Sequence, residues 1–122
     1  MMERKLKQMT RIIKAFADEG RIRILCILKS KKDLCVCEIT EIIGLAQPTI
    51  SSHLKLLENS GLVESFKNGL WVNYNISDNP GSFGSRFLDM LYENLKNDTQ
   101  MVEDEKNAKK INRDTICKKE VI

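Results

Sequence analysis

The sequence predicts a mainly α-helical fold with a β-hairpin wing, the wing following directly on a helix-turn-helix. Three observations carry that expectation. Apolar residues recur at helical spacing up to Leu57, Gly44 interrupts two such stretches, and two β-rich runs flank Asn68-Gly69, a strong hairpin signal. At 122 residues the chain has room for one core. The expected division is one winged helix-turn-helix domain over residues 1–97 and a charged, flexible tail over 98–122. A domain this small is marginal alone, so extra apolar faces on its terminal helices are expected to be buried in a two-fold dimer.

Met9, Ile12, Ile13 and Phe16 fall at i, i+3, i+4 and i+7, which predicts a first amphipathic helix ending near Asp18-Glu19-Gly20. Ile22, Leu25, Ile27 and Leu28 then form a nearly continuous apolar stretch that stops at Lys29-Ser30-Lys31-Lys32-Asp33. Such a helix is expected to be wrapped by others. Val36, Ile39, Ile42 and Ile43 repeat the helical spacing, and Gly44 supplies the positive φ that closes a helix and turns the chain. The next helix carries Ile50, Leu54 and Leu57 inward, leaving Thr49, Ser51, Ser52, His53 and Lys55 outward. Its N-terminal cap is weak, because Ala46 has no side-chain acceptor.

Leu62 to Phe66 and Trp71 to Ile76 read as strands joined through Asn68-Gly69, with positive φ allowed at both turn positions and Trp71 facing Phe66 across the hairpin. Asn79-Pro80-Gly81-Ser82 breaks the chain before a last helix whose apolar stripe is Phe83, Phe87, Met90, Leu91 and Leu95. From about residue 98 the periodicity is lost and charges alternate, the pattern of a frayed tail.

Twenty basic residues against seventeen acidic ones make the chain only mildly cationic, so composition alone does not announce a nucleic-acid partner. The distribution says more: Arg4, Lys5, Lys7, Arg11 and Lys14 crowd the first helix. No apolar run approaches the roughly eighteen residues that span a bilayer, and the start lacks a signal-peptide core. No membrane partner is expected, and the expected compartment is the cytoplasm. In that reducing setting, the four cysteines read as metal ligands, redox groups or core thiols before a disulfide framework.

Helix, Gly-containing turn and second helix with short polar and cationic outward residues suit the major groove, because small side chains let the backbone approach base edges. Gln47 and Lys55 have the reach for bases, Thr49, Ser51 and Ser52 suit phosphates or bases, and His53, the single histidine, lies among them. Lys67 and Asn68 at the hairpin tip are placed to grip neighbouring phosphates. The competing reading is a solvated polar helix face.

Cys35-Val36-Cys37 sets two soft donors at the start of the helix that leads into the reader. Thiolates favour thiophilic ions such as As(III), Cd(II), Pb(II) or Zn(II) over Mg or Ca. Each helical residue turns about 100°. On a regular helix, Cys35 and Cys37 therefore point to nearly opposite sides, so chelation is expected to need an unwound or strained first turn. A helix N-terminus is also expected to lower the thiol pKa. Cys26, inside Ile24-Leu25-Cys26-Ile27-Leu28, reads as a core thiol, and Cys117 in the tail is a candidate third ligand.

The words Asp33-Leu34-Cys35-Val36-Cys37-Glu38-Ile39 and Gln47-Pro48-Thr49-Ile50-Ser51-Ser52-His53-Leu54-Lys55-Leu56-Leu57 resemble the arsenic-repressor (ArsR/SmtB) family of metal-sensing winged-helix regulators, over residues 8–97. The resemblance implies a dimeric winged helix-turn-helix repressor of double-stranded operator DNA. It implies that Cys35 and Cys37 bind arsenite, antimonite (Sb(III)) or divalent soft metals, with DNA released on binding. Thr40 stands where a three-cysteine arsenic site of the family has its third thiol, and the N-terminal arm has none of the thiols used by the cadmium- and lead-sensing branch. The zinc site of another branch needs histidines on the last helix, and Asp89 and Glu93 have no such partner. The alternatives are a redox switch at the same cysteines, with Cys117 as resolving thiol, and a thiol metal-binding protein without regulatory role. No residue set for hydrolytic catalysis is present: one histidine and no clustered nucleophile do not make an active site.

Overall fold

The computed structural model describes residues 4–116. The elements follow in the order α1 (Lys5–Phe16), α2 (Glu19–Ser30), α3 (Val36–Ile43), α4 (Gln47–Asn59), β1 (Val63–Asn68), β2 (Trp71–Ile76), α5 (Phe83–Leu95), α6 (Thr99–Lys110) and α7 (Arg113–Ile116). The continuous apolar run of α2 makes it the axis of the domain: Ile24, Leu25, Ile27 and Leu28 are all buried, and α1, α3, α4, α5, α6 and β2 pack around it. Cys26 lies in this core as expected. Asp18 caps α2 by accepting the Arg21 amide at 3.0 Å.

The helix-turn-helix is α3, Gly44 and α4. Gly44 takes φ 82, and its amide donates to the Thr40 carbonyl at 2.9 Å, which closes α3 and turns the chain. Ile39, Ile42 and Ile43 of α3 and Ile50, Leu54 and Leu57 of α4 meet in the core. α4 starts without a side-chain cap at Ala46, and a proline in its first turn supplies the preset φ instead.

β1 and β2 pair antiparallel, with Val63 opposite Ile76 and Asn68 opposite Trp71. The turn is therefore Gly69-Leu70, displaced by one residue from the expected Asn68-Gly69. Only Gly69 (φ 64) has positive φ there, the pattern of a type II′ loop. The observed register sets Phe66 opposite Asn73, so the expected Phe66–Trp71 pair is not formed. It also allows β2 a second partner. Tyr74 donates its amide to the Leu34 carbonyl at 2.8 Å, and Asp33 and Asn75 exchange two 2.8 Å hydrogen bonds. Residues ahead of α3 are thus zipped to the wing strand.

The region expected to be a flexible tail is helical from Thr99 to Lys110 and again from Arg113 to Ile116. Few large side chains anchor it, which is why its periodicity was weak, but a charge does what apolar area does elsewhere. Asp104 is fully buried on α6 and accepts two 2.9 Å hydrogen bonds from Arg23 of α2, whose Nη2 also donates to the Ile43 carbonyl at 2.8 Å. Gln100 completes the carboxylate's partners at 3.0 Å, and Asp98 caps the helix. Lys31 reaches the Ala108 carbonyl at 2.9 Å.

Removing one member of a buried ion pair leaves an uncompensated charge, which costs about 3–5 kcal/mol. Asp104→Ala is expected to lower stability by about that amount, read as a lower urea midpoint at unchanged slope. An unmoved midpoint would mean that α6 is not docked.

Candidate thiol site and nucleic-acid interface

Cys35 is the N-cap residue of α3, with extended backbone (φ −89, ψ 168), and Cys37 is in the helix's first turn. A cap residue does not share the helical rotation, so the opposed orientation expected for a regular helix does not arise. The two sulfurs converge to 3.8 Å, both buried. No unwinding is needed to bring them together. Two thiolates at metal–sulfur bonds of about 2.3 Å in tetrahedral arrangement stand about 3.8 Å apart, so the pair fits one soft ion once Cys37, which is disulfide-bonded in this structure, is reduced. The indole of Trp71 packs against both cysteines.

Glu38 lies three residues after the cap, the spacing of a capping box with cysteine in the place of serine. Its Oε1 accepts the Cys35 amide at 3.0 Å. Burial pushes the Cys35 thiol above its ordinary value, and the Glu38 amide directed at its sulfur offsets only part of that. The expected lowering by the helix N-terminus is overturned by desolvation. Glu38 is only 6% exposed, and Arg113 of α7 answers its charge from Nη2 at 2.8 Å and Nε at 3.2 Å. Arg113 further donates to the Asp33 carbonyl (2.8 Å) and to Oδ1 of Asn73 on β2 (2.7 Å), with its guanidinium 4.8 Å from the Trp71 ring centre.

Of these, Glu38 was missed, although the capping-box spacing from Cys35 is the signal that points to it. Trp71 was read as a hairpin packing residue, and Arg113 and Asn73 carried no sequence signal. Among the described residues no three metal-binding side chains cluster, and Cys117 lies outside the described residues. Thr40 donates to the Val36 carbonyl within its helix, and Asp89 and Glu93 are paired with Lys29 and Lys96.

On α4, Gln47, Thr49, Ser51, Ser52 and Lys55 are exposed along one face, and Lys67 and Asn68 are exposed on the hairpin. His53 leaves that face. Its Nε2 is 3.5 Å from Asp18 Oδ2 and its Nδ1 3.5 Å from Arg21, so it packs α4 against the start of α2. The expectation that it reads DNA does not fit this orientation. Close approach of the helices is helped by Gly20, where a Cβ would stand 3.1 Å from the His53 ring. Among the described residues, no helix is long and apolar enough to cross a membrane.

Residues 18–65 match the family profile described as bacterial regulatory protein, arsR family. The arsenical resistance operon repressor of Escherichia coli (strain K12) is 37% identical over 64% of this chain and 67% of its own length. The arsenic resistance transcriptional regulator ArsR2 of Pseudomonas putida is 32% identical over 87% of this chain and 94% of its own. Among solved structures, the homodimeric winged helix-turn-helix DNA-binding domain of a Mycobacterium bovis protein superposes with a TM-score of 0.65 at 28% identity, covering 79% of this chain and 88% of that one.

The thiol of Cys26 is pushed up to about 11 by burial, so it stays protonated at ordinary pH. Cys26 is expected to resist iodoacetamide at pH 8 in the folded protein and to react fully in denaturant, as read by peptide mass. Rapid native modification would remove it from the core.

Proposed function

The chain belongs to the arsR family of bacterial regulatory proteins, DNA-binding transcriptional regulators and not enzymes, and from that premise we propose a homodimeric repressor that leaves its operator when a soft ion occupies Cys35 and Cys37. The single observation that carries the reading is the 3.8 Å sulfur pair at the cap of the helix leading into the reader. As(III) or Sb(III) is the proposed inducer, with Cd(II), Pb(II) or Zn(II) the alternatives, since all are thiophilic. Trivalent arsenic takes three sulfurs, and Cys117 is proposed as the third. What supports it is that α7 packs against α3 and ends at Ile116, the residue before Cys117 in the sequence.

On DNA, Gln47, Thr49, Ser51, Ser52 and Lys55 face the major groove while Lys67 and Asn68 hold phosphates beside it. The exposed apolar side chains Leu6 and Ile13 of α1 and Met90 of α5 support a two-fold partner across these helices. Such a dimer sets its readers about 34 Å apart, one turn of B-DNA, which calls for a palindromic operator.

In this scheme Cys35 has two mutually exclusive tasks. As a cap its sulfur takes the Glu38 amide, and as a ligand the same sulfur gives its lone pair to the ion, at the 3.8 Å spacing from Cys37 that already exists. Ligation therefore uncaps α3, at a cost of about 1 kcal/mol, and pulls on the loop that is zipped to β2. Linkage makes the effect reciprocal, so a bound operator weakens ion affinity by the same factor, an expected coupling of about 1–3 kcal/mol.

Titrating arsenite, cadmium and lead onto the protein bound to DNA from upstream of its own gene, under reducing conditions, tests the reading. The expected loss of DNA affinity is about 5- to 150-fold for wild type, absent in Cys35→Ser and Cys37→Ser, and reduced in Cys117→Ser. Unchanged DNA affinity with both sulfurs loaded would reject it, and release by peroxide but not by any ion would favour the redox switch.

On the DNA side, Lys67→Ala is expected to reduce the salt dependence of binding by about one unit of log–log slope. His53→Ala is expected to leave that slope unchanged while lowering the melting temperature.

A further inference from the structure

We infer that Arg113 is a positioning residue that couples the thiol pair to the wing, an inference that rests on the proposed function of that pair. Four parts of the molecule meet at its guanidinium: the loop before α3 through the Asp33 carbonyl, the first turn of α3 through Glu38, β2 through Asn73, and α7, which carries it. Glu38 and Asn73 are both buried, at 6% and 5% exposure, so neither has solvent as an alternative partner for this arginine. The Glu38 oxygen that Arg113 holds is also the one that accepts the Cys35 amide. Loss of the Glu38 amide from the Cys35 sulfur therefore loosens a capping box whose carboxylate Arg113 shares. That arginine in turn holds Asn73, two positions along the strand from Trp71, which packs against the cysteine pair with its ring under the guanidinium.

The two ends of α3 are held differently, and this gives the coupling its direction. At the C-terminal end, the Ile43 carbonyl is fixed by Arg23, itself clamped twice by the fully buried Asp104. At the N-terminal end, the fastening is Arg113 and the hydrogen bonds of residues 33 and 34 to β2. A displacement that starts at Cys35 meets a rigid stop toward α4 and a direct line toward the hairpin. The wing yields first, and α4 follows.

Trp71 is the only tryptophan, so its emission reports ion capture independently of DNA. Arsenite alone is titrated against wild type, Arg113→Ala, Arg113→Lys and Asn73→Leu by this signal. DNA affinity is then measured with and without saturating arsenite. Both Arg113→Ala and Asn73→Leu are expected to bind arsenite within about threefold of wild type while the arsenite effect on DNA affinity shrinks to under about threefold. Arg113→Lys, which keeps the charge on Glu38 but not the fork to Asn73, is expected to fall between. Should Arg113→Ala fail to fold by circular dichroism, Asn73→Leu, which leaves the Glu38 pair in place, decides alone. A folded variant that binds arsenite and keeps the wild-type effect on DNA overturns the inference while the proposed function stands. Wild type that captures arsenite without losing DNA affinity overturns both.

Discussion

The structure turns on the backbone of one residue. Because Cys35 is an extended N-cap and not the first residue of a helix, its sulfur comes within 3.8 Å of the Cys37 sulfur, and its amide is left for the Glu38 carboxylate. Just ahead of Cys35, Leu34 bridges to Tyr74 of β2, and Asp33, turned to a positive φ of 60, exchanges hydrogen bonds with Asn75. A close pair of sulfurs, a helix start and a strand contact are thus three uses of one short segment. Moving any of them moves the others.

Charge burial is how this chain ties its C-terminal helices to that arrangement. Asp104 with Arg23, and Glu38 with Arg113, are pairs whose acids are shut away from solvent, each joined by further neutral acceptors. Isolated, such groups are costly to bury, and the bidentate and shared hydrogen bonds offset that cost only in the docked geometry. The pairs therefore specify position more than they add stability. One holds the C-terminal end of α3 to α2 and α6, the other its N-terminal end to α7 and the wing.

Local patterns made much of the molecule readable in advance. The helical spacing of Ile50, Leu54 and Leu57 placed the exposed face of α4, Gly44 placed the turn, and the Cys-Val-Cys word placed the thiols. Errors arose where two local solutions were nearly equal. Asn68-Gly69 and Gly69-Leu70 both make acceptable hairpin loops, and the choice between them was made by the pairing of Val63 with Ile76 and the docking of Trp71 on the cysteines. His53 has an outward helical position, yet Asp18 and Arg21 turn its ring inward. The segment after residue 98 has too few large apolar side chains to signal a helix, and its fixation depends on Arg23, 81 residues away in sequence from Asp104.

By itself, then, the sequence determined which stretches up to Leu95 are helix or strand, which of their faces are apolar and where soft donor atoms lie, because periodicity, turn chemistry and donor type are properties of neighbours along the chain. Only the tertiary structure decided that the two sulfurs face one another, that a tryptophan and an arginine close over them, and that the C-terminal helices fasten both ends of α3. Those outcomes depend on hydrogen bonds and desolvation between residues distant in sequence, and no local pattern encodes the partner of a buried charge.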